Sequence, residues 1–337
     1  MKRLHKRLHM TLLVVFGVVF AGIQAQAQAQ VQDKYPSKPV KIVVPYGPGG
    51  ATDIVARIVG EHMREILGQA FYVENKPGAY GIIAIEDMAR SKPDGYTLMV
   101  GNVSTNAITP VLFPAKFKIN YDRDVIPVMR LVDIPAFLLV TTTNFAPRTV
   151  PELIAAIKKN PGQVRYGTVG VGSYPDYDMA LFAKRAGDLS MVGIPNRNGA
   201  PGVIIDMATG DTQTAFLNVA STAGMIKAGK IKALAVVNPT RLPEYPDVPT
   251  MAEVGFPDVG TSAWQAMFAP AGTPREILET IQRAAVQAMQ TPAAKKTFAD
   301  QNFNIAPNAV ADAKPWLAGE IAKWNKITQE VKIEVPE

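Results

Sequence analysis

"VVPYGPGGATD", residues 43–53, sets three glycines within four positions, between a β-branched run and a segment opened by threonine and aspartate. Upstream, "VKIVVPY" (40–46) reads as a short apolar strand. Downstream, Ile54, Val55, Ile58, Val59, Met63, Ile66 and Leu67 recur at helical spacing until Gly68. The stretch is therefore a strand-to-helix turn built of bare backbone. Gly47, Gly49 and Gly50 permit positive φ and close approach of a ligand, and the free N–H groups of a helix start attract an anion. A turn in which glycine serves geometry alone fits the same residues.

Two nucleotide motifs are tested by this turn. The phosphate loop G-x-x-x-x-G-K-[ST] fails, because Gly50 is followed by Ala51 and Thr52 with no lysine. The dinucleotide fingerprint comes nearer, with Gly47-x-Gly49 after a strand and Glu74 at the spacing of a ribose-binding acid. Thr52 occupies the place of its third glycine, and Asp53 would set a carboxylate beside the pyrophosphate. An exported Rossmann-like oxidoreductase is thus the alternative reading.

Further along, "GIIAIEDMAR" (81–90) is helical and "YTLMVG" (96–101) is a third strand, so the first hundred residues alternate β, α, β, α, β. That order implies a doubly wound parallel sheet with ligand sites at strand carboxyl ends. "NVSTN" (102–106) adds small polar donors at the same edge, or caps a helix. A second unit begins near "FLLVTTT" (137–143), where Thr149 with Glu152 forms a capping box. "VRYGTVGVGSYPDYD" (164–178) then repeats the strand running into a Gly/Ser turn, so two anion-friendly loops should face each other. "KIKALAVVN" (230–238) leads back to the first domain, and Thr273 with Glu276 forms a second capping box around Pro274.

The N-terminus, "MKRLHKRLHMTLLVVFGVVFAGIQAQAQAQ", has a basic start, an apolar run too short to span a membrane, and two A-x-A sites ending at Ala27 and Ala29. It reads as a signal peptide over 1–29. Its removal takes four basic and no acidic residues and lowers the formal charge from +6 to +2. The remaining charge is interleaved, which argues against nucleic acid. With Cys 0 in an exported chain there is neither a disulfide nor a thiolate, and the periplasm is the implied address.

"YPSKPVKIVVPYGPGGATDIVARIV", "VENKPGAYG", "KPDGYTLMVG", "GKIKALAVVNPTRLPEYPDVPTMAEVGFP" and "FAPAGTP" recur in order along nearly the whole mature chain. Together they resemble the extracytoplasmic Bug-type receptors of tripartite tricarboxylate transporters. The resemblance implies a type II periplasmic-binding-protein fold of two α/β domains, each a doubly wound sheet flanked by helices, with a ligand cleft between them. It implies capture of a small carboxylate, aliphatic or aromatic, and its delivery to membrane transport subunits. The expected domains are 30–135 with 239–337, and 136–238. The resemblance assigns the site to the loop carrying Tyr46, Gly47, Gly49, Gly50, Thr52 and Asp53, to Ser104, Thr105 and Asn106, to Ser173 and Tyr174, and to the region of Arg197. Asp176 and Asn218 complete the set.

Departures from the family concern specificity. "GVGSYPD" has Asp176 where many relatives end a Gly-Ser-Thr-Thr pattern in histidine, and "IPNRNGAP" replaces a Tyr-Lys-Gly pattern with Asn196, Arg197 and Asn198. Leu217 stands where relatives often carry an acid before the asparagine, which removes a partner for an ammonium group and disfavours an amino acid as ligand. Nothing suggests catalysis: His62 is the only histidine after the leader, no nucleophile motif exists, and Asp176 with Asp178 is too sparse for a metal loop. Trp264, Trp316 and Trp324 read as core anchors, with Trp264 in a loop-like segment that could border the cleft. The expectation is a monomeric receptor without cofactor or metal. Mass spectrometry of the periplasmic fraction should find a mature N-terminus near Gln28 or Gln30; an intact Met1 on the exported protein would overturn the signal-peptide reading.

Overall fold

The computed structural model describes residues 35–196 and 198–334, so the leader and Arg197 lie outside the described residues. From Lys38 onward the chain builds two mixed sheets flanked by helices. In the first, β1 (Val40–Val44) lies between β2 (Phe71–Asn75) and β3 (Thr97–Asn102), and both pairings are parallel. The helix Ala51–Leu67 makes the first crossover, burying Val55, Val59 and Met63 and ending at Gly68 in the left-handed region, φ +72°. Gly60 lets it settle closely on the sheet, since a Cβ there would stand 3.3 Å from Ile42 Cδ1 and from the Phe71 carbonyl oxygen.

The alternation of elements predicts a parallel sheet, and the structure corrects this to a mixed one. β4 (Val125–Ile134), β10 (Ala263–Pro270) and β11 (Asn304–Ile305) complete the order β11-β4-β10-β3-β1-β2, and β10 runs antiparallel to both β3 and β4. β10 returns from the second sheet rather than from a crossover helix, so it enters from the opposite end. The second sheet has the order β7-β6-β8-β5-β9, built from β5 (Ala136–Thr141), β6 (Arg165–Thr168), β7 (Val192–Pro195), β8 (Thr214–Asn218) and β9 (Ile231–Val237). Its strand β5, between β8 and β9, is buried on both faces. Alternation sends Leu138 and Val140 to one core, and Phe137 and Leu139 to another. The chain changes sheet at Pro135 and again between Val237 and Ala263.

Of the two expected capping boxes, one is half formed. Thr149 Oγ1 accepts from the Glu152 N–H at 3.3 Å, while Glu152 reaches back one residue further, to the Arg148 N–H. The other is absent: Thr273 donates its hydroxyl to the Pro270 carbonyl at 2.8 Å, and the helix Arg275–Gln290 starts from Pro274 without a side-chain cap. The proline's extended backbone moves the helix start one residue past the threonine's reach.

The C-terminal helix Val310–Glu330 straps the two sheets. Trp264 on β10 donates to Glu320 at 2.8 Å and meets Trp316 edge-on, while Trp324 meets Tyr177 of the helix Tyr174–Arg185. Arg185 of that helix pairs with Asp258 and Glu330. Beside them, the buried Asp178 accepts from both the N–H and the hydroxyl of Thr261, at 2.9 and 2.7 Å, tying the helix to the returning chain. Burial pushes the Asp178 carboxyl up to about 7, against the Thr261 bonds and the charge of Lys323, which pull it down. The folded chain therefore holds this proton when the unfolded chain has lost it. The stability contributed is complete below the unfolded value of about 3.9 and is lost as pH rises through about 7. Asp178→Asn, which keeps an acceptor for the Thr261 N–H, should flatten the fall in melting temperature between about pH 4 and pH 7; an unaltered slope would show that other groups set it.

Candidate functional site

The turn at residues 47–50 and the turn that precedes Tyr174 share one construction. Gly49, at φ +88°, donates its N–H to Asp53 Oδ2 at 2.9 Å, and Gly50 caps the helix that follows. Gly172, at φ +75°, donates to Asp176 Oδ2 at 2.9 Å, and Ser173 caps the helix that follows. In each case an aspartate four residues after a left-handed glycine clamps the loop from within. Neither aspartate lines the cavity that the loops border. Asp53, 2% exposed, also accepts two bonds from Arg57 and one from Asn75. Burial raises its pKa, but these bonds outweigh burial and hold it below the usual carboxylate range. Asp176 has the Tyr166 hydroxyl instead of an arginine, and there burial prevails and raises its pKa.

The cavity has a volume of about 630 Å³. Of the sequence-predicted residues it gathers Tyr46, Gly47, Gly49, Gly50, Thr52, Ser104, Thr105, Ser173, Tyr174 and Asn218. Asn106 stands behind this wall, fully buried, with its amide bonded to the Tyr121 hydroxyl and its Oδ1 to Thr105. Glu74, the ribose-binding acid of the dinucleotide alternative, is paired with Lys41 and Lys76.

The polar groups of the cavity are held in order. The Tyr46 hydroxyl donates to Asn102 Oδ1 at 2.9 Å, and Asn102 Nδ2 donates to Thr52 at 3.3 Å. Burial pushes the Tyr46 hydroxyl up to about 12, so it stays neutral. On the side of the second sheet Tyr174, first residue of its helix, repeats the arrangement, donating its hydroxyl to Asn218 Oδ1 at 2.7 Å. One bond joins the two sides: the Tyr174 N–H donates to Ser104 Oγ at 3.3 Å.

Electrostatics come from backbone. Four helices, Ala51–Leu67, Tyr174–Arg185, Ala200–Thr209 and Val219–Lys227, turn their N-terminal ends to the cavity, which Ala51, Tyr174, Ala200 and Asn218 line. Among its described lining residues none is charged. No charged side chain among the described lining residues therefore screens the positive ends of the helix dipoles from the cavity. The two loops are not equally open, contrary to expectation. Intrahelical bonding in the first begins with Ile54 N–H to the Gly50 carbonyl, which leaves the amides of Ala51 and Thr52 free of the helix ladder. In the second, the Tyr174 amide is taken by Ser104, Pro175 has no N–H, and the Asp176 amide bonds Ser173. Ser173 itself donates its hydroxyl to Gly170 at 2.7 Å. The first loop therefore keeps backbone N–H groups outside the helix ladder, while those at the start of the second are engaged or missing.

Glycine at 47 and 50 has no structural demand behind it. Neither carries a positive φ, and a Cβ at either would meet nothing within 4 Å. Gly49 differs, since its φ of +88° favours glycine. The missing side chains at 47 and 50 keep the wall of the cavity clear.

Sequence reasoning missed two parts of the site. Gly78, Ala79, Tyr80 and Gly81 all have positive φ, a left-handed turn that carries Tyr80 to the cavity, where its ring stacks on Phe113 at 4.5 Å. Thr109 fixes it by donating to the Tyr80 carbonyl at 2.9 Å. The signal was the glycine on either side of "AY" in the quoted "KPGAYG". The second is Gln265. Trp264 is the core anchor the sequence suggests, but it lies within β10 rather than in a loop beside the cleft; it faces Glu320 and Trp316, so its neighbour Gln265 takes the cavity side.

Residues 55–333 match the model of the Tripartite tricarboxylate transporter family receptor. Protein BugT of Bordetella pertussis is 32% identical over 298 residues, covering 88% of this chain and 90% of BugT. A solved R. palustris protein with adipate superposes with a TM-score of 0.83 at 27% identity, over 90% of this chain and 100% of that one. MatC from Rhodopseudomonas palustris with bound malate gives a TM-score of 0.78 at 28% identity, over 87% and 99%. A similar fold at 26% identity and a TM-score of 0.78 is that of the periplasmic binding protein BugD. This chain therefore belongs to the receptors of the tripartite tricarboxylate transporter family, which are periplasmic solute-binding proteins and not enzymes.

Proposed function

We propose that the protein captures a small carboxylate in this cavity, between a domain of residues 30–135 with 239–337 and a domain of residues 136–238, and delivers it to membrane transport subunits from the periplasm. The observation that carries the reading is the convergence of four helix N-termini on a cavity with no charged side chain among its described lining residues. Such a surface draws an anion by fixed dipoles and backbone donors. A carboxylate at the first loop takes the amides of Ala51 and Thr52, while Pro45, Val169, Leu217 and the Tyr80–Phe113 pair offer apolar contact to its carbon skeleton. The relatives solved with adipate and with malate support a di-acid of this size. Because Tyr174 and Ser104 stand on opposite sides, ligand contact with both stabilises the shut cleft.

Calorimetry with a panel of aliphatic and aromatic carboxylates, with a nicotinamide dinucleotide as control, tests the reading directly. Gly50→Asn sharpens it. An asparagine N-cap accepts from the second or third amide of the helix, here Thr52 or Asp53, so it supports the helix and competes with a ligand for the donors of this loop. The melting temperature should hold or rise, while carboxylate affinity falls by about tenfold or more, the worth of a charge-assisted hydrogen bond. Wild-type affinity in a folded Gly50→Asn protein would remove the first loop from the site.

A further inference from the structure

Gln265 stands opposite Asn102 in the antiparallel pairing of β10 with β3. Residues opposite each other in such a pair direct their side chains to the same face. Asn102 is the partner of Tyr46, and both line the cavity together with Gln265. Gln265 is 1% exposed, and its Oε1 is buried without a hydrogen-bond partner. The neighbouring polar atoms are engaged: Asn102 Oδ1 accepts from Tyr46 and from the Thr105 N–H, Asn102 Nδ2 donates to Thr52, and Asn218 Oδ1 accepts from Tyr174. Buried polar side chains in folded proteins nearly always find a partner. One left unfilled at the wall of a binding cavity marks a bond reserved for the ligand.

We infer that Gln265 binds a hydroxyl group of the ligand, so that the cavity selects a hydroxycarboxylate over the acid of the same skeleton without the hydroxyl. The inference rests on the carboxylate reading above. A buried carbonyl oxygen needs a donor, which excludes the ligand's carboxylate oxygens as its partner. An ammonium group would donate, but no acidic side chain among the described lining residues balances its charge. A hydroxyl donates without charge. Gln265 shares the cavity with the first-loop residues, and its cross-strand neighbour Asn102 bonds Thr52, so one ligand can be held by its carboxylate at Ala51 and Thr52 and read by its hydroxyl at Gln265.

The test is calorimetry on matched pairs: malate with succinate, citrate with tricarballylate, and 2-hydroxyadipate with adipate, on wild type and Gln265→Met. In the pair that fits best, wild type should prefer the hydroxy acid by about tenfold or more, because a site built around a hydroxyl rejects the analogue that lacks it. Gln265→Met should bring the two acids within about twofold, through loss of hydroxy-acid affinity alone. The ligand-free variant should melt no lower than wild type, since it replaces an unpartnered polar atom with an apolar one of similar length. If wild type binds none of the acids, the carboxylate reading fails and takes this inference with it. If it binds both members of every pair alike, or prefers the acid without the hydroxyl, the inference alone fails. A hydroxyl preference that survives in Gln265→Met likewise rejects Gln265 as its source. The wild-type ratios can overturn the inference by themselves, so a variant that unfolds does not shelter it.

Discussion

The bond from a left-handed glycine N–H to the carboxylate four residues later is the constraint on which the site depends. At Gly49 and Asp53, and again at Gly172 and Asp176, it bends the chain sharply between strand and helix. The helix axis is thereby aimed at the cavity, and the aspartate is kept behind the loop, where its charge does not oppose an incoming anion from the cavity wall. A carboxylate at the first turn also suits the helix dipole. Asp53 can hold its charge under burial because Arg57 and Asn75 complete its hydrogen bonds. Asp176 has a neutral tyrosine in that place, so the same clamp is electrostatically costlier on the second side.

Much of this was written in the sequence at the level of elements. The apolar run of β1, the spacing of Val55, Val59 and Met63, and the glycines between them define a strand-to-helix turn, and the alternating elements define two α/β units with a cleft. Which side chains face the cleft was less legible. Asp53 and Asp176 are polar residues in the right loops, yet a carboxylate can bond its own backbone as easily as a ligand, and local sequence does not separate the two. Trp264 drew notice because it is large, whereas strand alternation gives the cavity to Gln265. The antiparallel entry of β10 decides that face, and it depends on a connection of some two dozen residues whose path is set by tertiary packing. Tyr80 was missed for a related reason: its left-handed backbone is held by Thr109 and Phe113, both distant in sequence.

The absence of formal charge from the described cavity wall has a physical logic under the proposed capture and release of an anion. A buried arginine or lysine would be an uncompensated cation whenever the cavity held no ligand, at a cost that folding would have to absorb. Helix-end amides carry no such burden, because water can satisfy them in an empty cavity and a bound carboxylate would replace that water. Neutral dipoles also bind less tightly than a buried ion pair, which suits release. Selectivity must then come from groups that are not charged. The paired tyrosine–asparagine contacts fix the shape of the cavity on both sides, and within that frame Gln265 is the one described lining side chain with a buried acceptor that the protein does not itself satisfy.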